Sequence, residues 1–356
     1  MFRGIDHIEF YVGNSFASAY FFTHALGFRP LVEAGLETGL RDRQSFAVEQ
    51  GSIRLVFTNS LAPDGPIAEH TRLHGDGIRD VALAVDDAAR AFQRCVELGA
   101  KPVAGPHVAS DDSGRVRRAI VKSFGDTVHS LVEREGYTGP FLPGFRKSRT
   151  PSRPGREANL AAIDHVAVCV EAGTLAEWID FYGRVFGFHE AHHSDIVTER
   201  SAMNSKVIES ENGAIKFPLM EPAPGQAKSQ IEEYLDYHHG PGAQHLALLS
   251  SDIAATARAL REEGVDFLET PGAYYDALPA RVGDIEEDVR VLRELNVLVD
   301  RDRWGYLLQI FTKPVTGRPT GFLEVVQRKG ARGFGGGNVR ALFEAVEREQ
   351  AARGNL

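Results

Sequence analysis

Residues 163–188 read IDHVAVCVEAGTLAEWIDFYGRVFGF, and residues 5–30 read IDHIEFYVGNSFASAYFFTHALGFRP. Each begins Ile-Asp-His, runs on as an apolar strand, enters a helix and reaches a Gly-Phe pair. A second pair follows in the same order: HGDGIRDVALAVDDAARAF from His74, and HGPGAQHLALLSSDIAATA from His239. Each of these is a glycine-rich turn, a strand, an acidic N-cap and a helix that stops at Gly99 or Gly264. Two matches in one order mean that the chain contains one module twice. Strands outnumber helices in it, which predicts an α+β fold of two cupped, open-barrel sheets.

In the first copy the patterning predicts strands at 6–12, 44–49, 52–58, 79–85, 118–123 and 127–133, with helices at 15–25 and 86–98. In the second it predicts strands at 163–170, 203–210, 213–220, 244–249, 306–312 and 321–327, with helices at 174–186, 229–237, 251–263 and 285–294. Residues 140–160, rich in Pro, Gly, Arg and Ser, read as a linker. The expected domains are therefore 1–150 and 151–356. The second ends in a helix over 338–351, with Asn338 as N-cap and Val339, Leu342, Phe343 and Val346 on one stripe.

The 356 residues are 43% hydrophobic and 25% charged, as in soluble folded chains. A net charge of −9 argues against a broad nucleic-acid surface or docking on an anionic membrane. No run of about 18 apolar residues predicts a membrane span, and the N-terminus lacks a signal core. Cys95 and Cys169 cannot supply a disulfide framework, so the expected compartment is the reducing cytoplasm.

The duplication is an internal control for the site. His165 has its counterpart in His7, His245 stands where the first copy has Asp80, and Glu324 aligns, less firmly, with Ser130. Only the second copy offers two imidazoles and a carboxylate on core strands. By alternation His165 shares a face with Ala167 and Cys169, His245 with Ala247 and Leu249, and Glu324 with Phe322 and Val326. A lone strand histidine is most often a core or edge residue. Together the three suit a divalent ion with open positions, such as non-haem Fe(II), and zinc, manganese or nickel would fit the same ligands. The pairs His192-His193 and His238-His239 read as loop residues.

At IDHIEFYVGN, LETGLRDR, FGDTVHSLVER, GYTGPFLPGF, IDHVAVCV, GAQHLAL, LVDRDRWGYLLQIFTKP, FLEVVQRKG and GFGGGNVRALFEAVE, the chain resembles one family. It is the 4-hydroxyphenylpyruvate dioxygenase and 4-hydroxymandelate synthase family of the vicinal oxygen chelate superfamily. The resemblance runs from about residue 4 to about residue 350. It implies Fe(II) held by His165, His245 and Glu324, and a degenerate, structural first half. It implies that a 2-oxo acid substrate chelates the iron and is oxidatively decarboxylated by O2. The product is homogentisate after ring attack and side-chain migration, or hydroxymandelate after benzylic hydroxylation.

By the same resemblance Ser205, Met220, Gln230, Gln244, Gln309, Phe311, Phe322, Phe334, Asn338 and Val339 occupy substrate-pocket positions, with Gln309, Gln244 and Phe322 nearest the chemistry. The last helix is implied to be a gate hinged on Gly335-Gly336-Gly337, and a homodimer or homotetramer is implied. The chain departs from the family at Met220 in PLMEP, where relatives read Asn, at Val339, where they carry Phe, and at Gly321, where they carry a bulky apolar residue. Loss of the volume at Val339 and Gly321 predicts a larger or reshaped pocket. The competing readings are an oxygenase of a different aryl or aliphatic 2-oxo acid, a duplicated extradiol ring-cleaving dioxygenase, and a non-catalytic small-molecule binder.

Overall fold

The computed structural model describes residues 1–150, 158–197 and 201–355. Two curled sheets carry the fold. The first has the order Pro102–Asp111, Gly114–Lys122, Val128–Glu133, Gly77–Val85, Phe2–Tyr11, Ile53–Ser60, Arg43–Gln50, Arg29–Ala34 and Arg146–Lys147. The second has the order His189–Val197, Ala202–Glu209, Lys216–Ala223, Leu160–Cys169, Gly242–Ser250, Phe322–Lys329, Tyr306–Phe311 and Leu298–Arg301. Helices Ser15–His24 and Ala88–Glu97 pack on the first sheet and Leu175–Phe186 and Ile253–Glu262 on the second, and one apolar core runs through both halves, from Ile8 and Phe22 to Tyr182, Phe217 and Leu308.

The two sheets are built on the same central pair. Phe2–Tyr11 lies antiparallel to Gly77–Val85 with Ile5 opposite Leu83 and His7 opposite Ala82. Leu160–Cys169 lies antiparallel to Gly242–Ser250 with Ile163 opposite Leu248 and His165 opposite Ala247. In both, the register slips between the isoleucine and the histidine, a bulge that re-aims the histidine. Asp87 and Asp252 cap the following helices, each accepting a backbone N–H at 2.9 Å. These central strands are buried on both faces, which is why they read as VALAV and LALL rather than as alternating patterns.

Several expected elements differ. The sequence reading missed the strands Arg29–Ala34, Pro102–Asp111, His189–Val197 and Leu298–Arg301. Pro102–Asp111 and His189–Val197 are edge strands, where proline, glycine and polar residues are tolerated because one side is unpaired. His192 and His193 therefore lie on a strand, not a loop, and His238 ends the helix Gln230–His238. The helix expected over 285–294 begins only at Val289, after the Asp288 cap. The linker is partly structural: Phe141 and Leu142 are buried, and Arg146–Lys147 pairs with Val32 and Glu33. Its positions 151–157 lie outside the described residues.

The terminal helix is Gly336–Ala352, two residues longer at its start than expected. Its cap is Gly335, in the left-handed region at φ 69°, and Asn338 sits inside the helix, fully buried. No helix among the described residues is long and apolar enough to cross a membrane.

Candidate metal centre and its cavity

His165, His245 and Glu324 converge. The Nε2 atoms of His165 and His245 lie 3.2 and 3.4 Å from the same oxygen, Oε2 of Glu324. The three residues come from adjacent strands: His245 is in register with Phe322 on the parallel strand, and Ala247 with Glu324. The first half shows what the same slots do without ligands. Asp80 takes the register position of His245, and Ser130, one step from the Leu83–Leu131 pair, takes that of Glu324. There the Ser130 amide and hydroxyl both donate to Asp80, so the slot satisfies itself.

The hydrogen bonds around the trio decide which atoms face inward. The Nδ1–H of His165 donates to Asp164 at 2.8 Å, and Asp164 is gripped by Nε and Nη2 of Arg328 at 2.7 and 2.8 Å. The His245 Nδ1 faces the Gln244 amide oxygen, a pure acceptor, at 3.3 Å. Each neutral imidazole is thereby left with a bare Nε2 lone pair aimed at a carboxylate. Three electron-pair donors thereby converge on one point. That is the arrangement a divalent cation resolves, and two imidazoles with one carboxylate leave positions open for a substrate and O2.

Protons can neutralise the trio in the cation's place. Burial would lower the His165 pKa, yet the carboxylates of Glu324 and Asp164 outweigh it and push it up to about 9. Burial would raise Glu324, yet the two imidazoles hold it down at about 2, and burial keeps His245 below its ordinary value. At pH 7.5 the metal-free site therefore carries one proton, on His165, that a cation must displace. Calorimetric titration with a divalent metal in buffers of different ionisation heat should show about one proton released per ion bound at this site, falling toward none above the His165 pKa. Proton-free binding at pH 7.5 would contradict it.

The cavity in front of the trio is small, about 50 Å³. Ser205, Met220, Gln230, Gln244, Gln309, Phe311, Phe334 and Val339, all expected at the pocket, line it together with the trio. His192, Met203, Val207, Pro218, Gly336 and Leu342 line it as well. The sequence places Gly336 in the hinge, Leu342 on the helix stripe and Met203, Val207 and Pro218 on strands, and it misses His192 because the edge strand carrying it lacks a β pattern.

Two expected pocket residues stand one layer back. Phe322 stacks on the His245 ring at 4.7 Å and 24°, holding the ligand rather than facing the cavity. Asn338 lies behind Gln309. An amide can be drawn either way round, and the carboxylate settles it. Gln309 must donate Nε2 to Glu324, at 2.9 Å, so it turns its oxygen to Asn338, which must donate Nδ2 at 2.8 Å. The Asn338 oxygen then accepts from the Tyr274 hydroxyl at 2.6 Å. Swapping the Asn338 amide would set two acceptors face to face at Gln309, although it would gain contacts to Val299 and Asp300.

Gly321 is not at the pocket. A Cβ there would come within 2.9 Å of the Thr316 methyl, so the glycine relieves a turn and adds no cavity volume. Gly335 has the opposite standing: a Cβ there would meet Gln309 Oε1 at 2.6 Å on a left-handed backbone. Gly335→Ala should therefore displace Gln309 or the helix start. The expected result is a stability loss of roughly 1 kcal/mol or more, seen in denaturant unfolding, together with weaker metal binding.

Phe334 sets its ring edge against His165 at 5.2 Å, and the Arg328 guanidinium lies 5.2 Å from the Phe334 ring. The terminal helix closes the cavity through Val339 and Leu342, with buried Gln350 reaching Ser229 and Arg353 paired to Glu233 at 2.7 Å.

A model of the Glyoxalase/Bleomycin resistance protein/Dioxygenase superfamily matches residues 4–133 and 162–310, the two halves found from the repeat. Curated relatives named 4-hydroxyphenylpyruvate dioxygenase align with all of this chain. Those from Neurospora crassa, Yarrowia lipolytica and Danio rerio are 41%, 42% and 44% identical, over 93%, 94% and 92% of their own lengths. A solved triple mutant of 4-hydroxymandelate synthase from Streptomyces coelicolor superposes with a TM-score of 0.90 at 40% identity, covering 98% of this chain and all of that one. A Mn(II)-bound glyoxalase from Novosphingobium aromaticivorans, 14% identical, shares the fold with a TM-score of 0.51, over 92% of this chain and 83% of its own.

Proposed function

We propose that this chain, which belongs to the 4-hydroxyphenylpyruvate dioxygenase family of the Glyoxalase/Bleomycin resistance protein/Dioxygenase superfamily, is an Fe(II)-dependent oxygenase converting 4-hydroxyphenylpyruvate and O2 to homogentisate and CO2. The observation that carries the reading is the set of inward-facing donors on His165, His245 and Glu324, opening on a largely apolar cavity in a chain matched along its whole length to dioxygenases. Residues 151–356 are read as the catalytic half and residues 1–150 as its structural copy, since Asp80 and Ser130 bond to each other where the ligands would stand.

When bound, Fe(II) supplies a chelation site for the 2-oxo acid and activates O2. The chain's own residues hold and shield. Asp164 and Phe334 fix the His165 ring, Gln244 and Phe322 fix His245, and Gln309 fixes Glu324. Met203, Val207, Phe311, Val339 and Leu342 give the substrate ring apolar walls and exclude water. The Gln230 side-chain oxygen is buried without a partner, an acceptor suited to a phenolic hydroxyl.

Incubating iron-loaded protein with 4-hydroxyphenylpyruvate under O2 tests the reading. Homogentisate with stoichiometric CO2 is expected, and the reading fails if no homogentisate, hydroxymandelate or CO2 appears. Hydroxymandelate is the second outcome, favoured by the synthase likeness and by Met220, an apolar residue opposite Ser205 on the pocket strands. An amide at that position would restore a hydrogen bond to a polar ring substituent, worth about 0.5–1.5 kcal/mol. Met220→Asn should therefore raise kcat/KM for the para-hydroxylated acid over phenylpyruvate by roughly twofold to tenfold. An unchanged ratio removes Met220 as a specificity residue. Assembly into a homodimer or homotetramer belongs to the same reading and is measured by light scattering.

A further inference from the structure

A second cluster of two imidazoles and one carboxylate lies far along the chain from the first. His70 and His74 stand four residues apart on the helix Pro66–His74, hence on one face. Asp126 comes to them from the turn after Phe124. The His74 Nε2 lies 3.2 Å from Asp126 Oδ2, and the His70 Nδ1 lies 3.8 Å from the same oxygen. In the centre already described the corresponding gaps are 3.2 and 3.4 Å. All three candidate ligand atoms fall within 4.8 Å of one another in both clusters.

The bonds around His74 set its tautomer. The His74 Nδ1 faces the backbone carbonyl of His238, which can only accept, so the neutral ring keeps its lone pair on Nε2, toward the carboxylate. His70 is 2% exposed, and neither of its ring nitrogens has a hydrogen-bond partner. A buried imidazole so placed is costly unless something meets it. The rings are held: Tyr11 sets its edge against His70 at 5.4 Å, and His238 stacks on His74 at 4.4 Å. Gly125, at φ 53°, is packed against the Pro241 carbonyl where no side chain fits, which fixes the turn that presents Asp126.

The cluster lies where the halves meet, since His70, His74 and Asp126 come from the first and His238 from the second. Asp126 is half exposed and leaves a side open to water. Two imidazoles, one carboxylate and a water are the donor set of a four-coordinate Zn(II)-class ion. We infer that His70, His74 and Asp126 form a second divalent-metal site, taking a Zn(II)-class ion that clamps the helix Pro66–His74 at the junction of the two halves.

Co(II) is the probe, added to metal-stripped protein. Wild type should take up about two ions per chain, and Glu324→Ala about one, with the visible bands of Co(II) bound to nitrogen and oxygen. In the Glu324→Ala background, His70→Gln with His74→Gln should abolish that remaining ion, and Asp126→Asn should weaken it at least about tenfold. His70→Gln alone, loaded with Fe(II), should keep substrate-dependent oxygen uptake. Glu324→Ala protein that takes up no Co(II) overturns the site. Retention of the ion after both histidines are changed overturns the ligand assignment. Should the double variant fail to fold, the Asp126→Asn affinity and a Zn(II)-induced rise in the melting temperature of Glu324→Ala decide the matter. No rise and no change in affinity refute it.

Discussion

Glu324→Ala is expected to lose the iron and, with it, substrate-dependent oxygen uptake, by roughly a thousandfold or more, about 4 kcal/mol in the transition state. Glu324 is the only anion of the trio, and both imidazoles aim at its Oε2. Removing it leaves two neutral donors that cannot balance a divalent charge and breaks the bond from Gln309 that ties the site to Asn338. It also removes the main group that raises His165, so the vacated pocket should settle as neutral imidazoles without a proton. The fold should survive, because without Glu324 both imidazoles can settle neutral and no uncompensated charge is left buried at the centre. Iron per chain and an oxygen electrode check it. Iron bound at wild-type affinity in Glu324→Ala, with uptake intact, would remove Glu324 from the centre.

Much of this was legible in the sequence because a duplication converts residue types into a comparison. His245 against Asp80, and Glu324 against Ser130, single out one half by residue type alone, and the strand registers place those pairs in equivalent slots. What escaped the reading escaped for physical reasons. Edge strands such as His189–Val197 have one unpaired side and need no apolar alternation, so His192 reads as a loop residue although it borders the cavity. Asn338 reads as a cap because asparagine favours caps and follows glycines. A left-handed glycine can also cap a helix, which frees the amide to reach Gln309. Gly321 reads as missing pocket volume, but which face a residue presents depends on a turn that propensity does not fix.

The clearest separation between metal chemistry and mere architecture should come from the aspartates that precede the two repeat histidines. Asp164 accepts from His165 and is held by Arg328, and Asp6 accepts from His7 at 2.7 Å and is held by Arg134 at 2.7 and 2.8 Å. Phe334 stands against His165 and Phe141 against His7, at 5.2 and 5.0 Å. The two supports are near copies, both buried, with both carboxyls held well below the usual range because arginine and imidazole outweigh the effect of burial. Breaking either should destabilise the fold by a similar amount, about 3–5 kcal/mol if the arginine is left unpaired. Their functions differ. Asp164→Asn offers His165 an amide that can turn its N–H toward Nδ1, which favours the wrong tautomer, and metal affinity should fall about 10–100-fold. Asp6→Asn should leave metal affinity and kcat unchanged at a temperature where both variants are folded. The carboxylate effect on stability has a definite sign. Both pKa values are depressed in the folded state, so the stabilisation is present at neutral pH and is lost as pH falls below the ordinary carboxylate range. Denaturant unfolding against pH should show each variant losing part of that acid dependence, while metal titration separates them. Equal loss of metal affinity in Asp6→Asn would mean that the first half takes part in the centre after all.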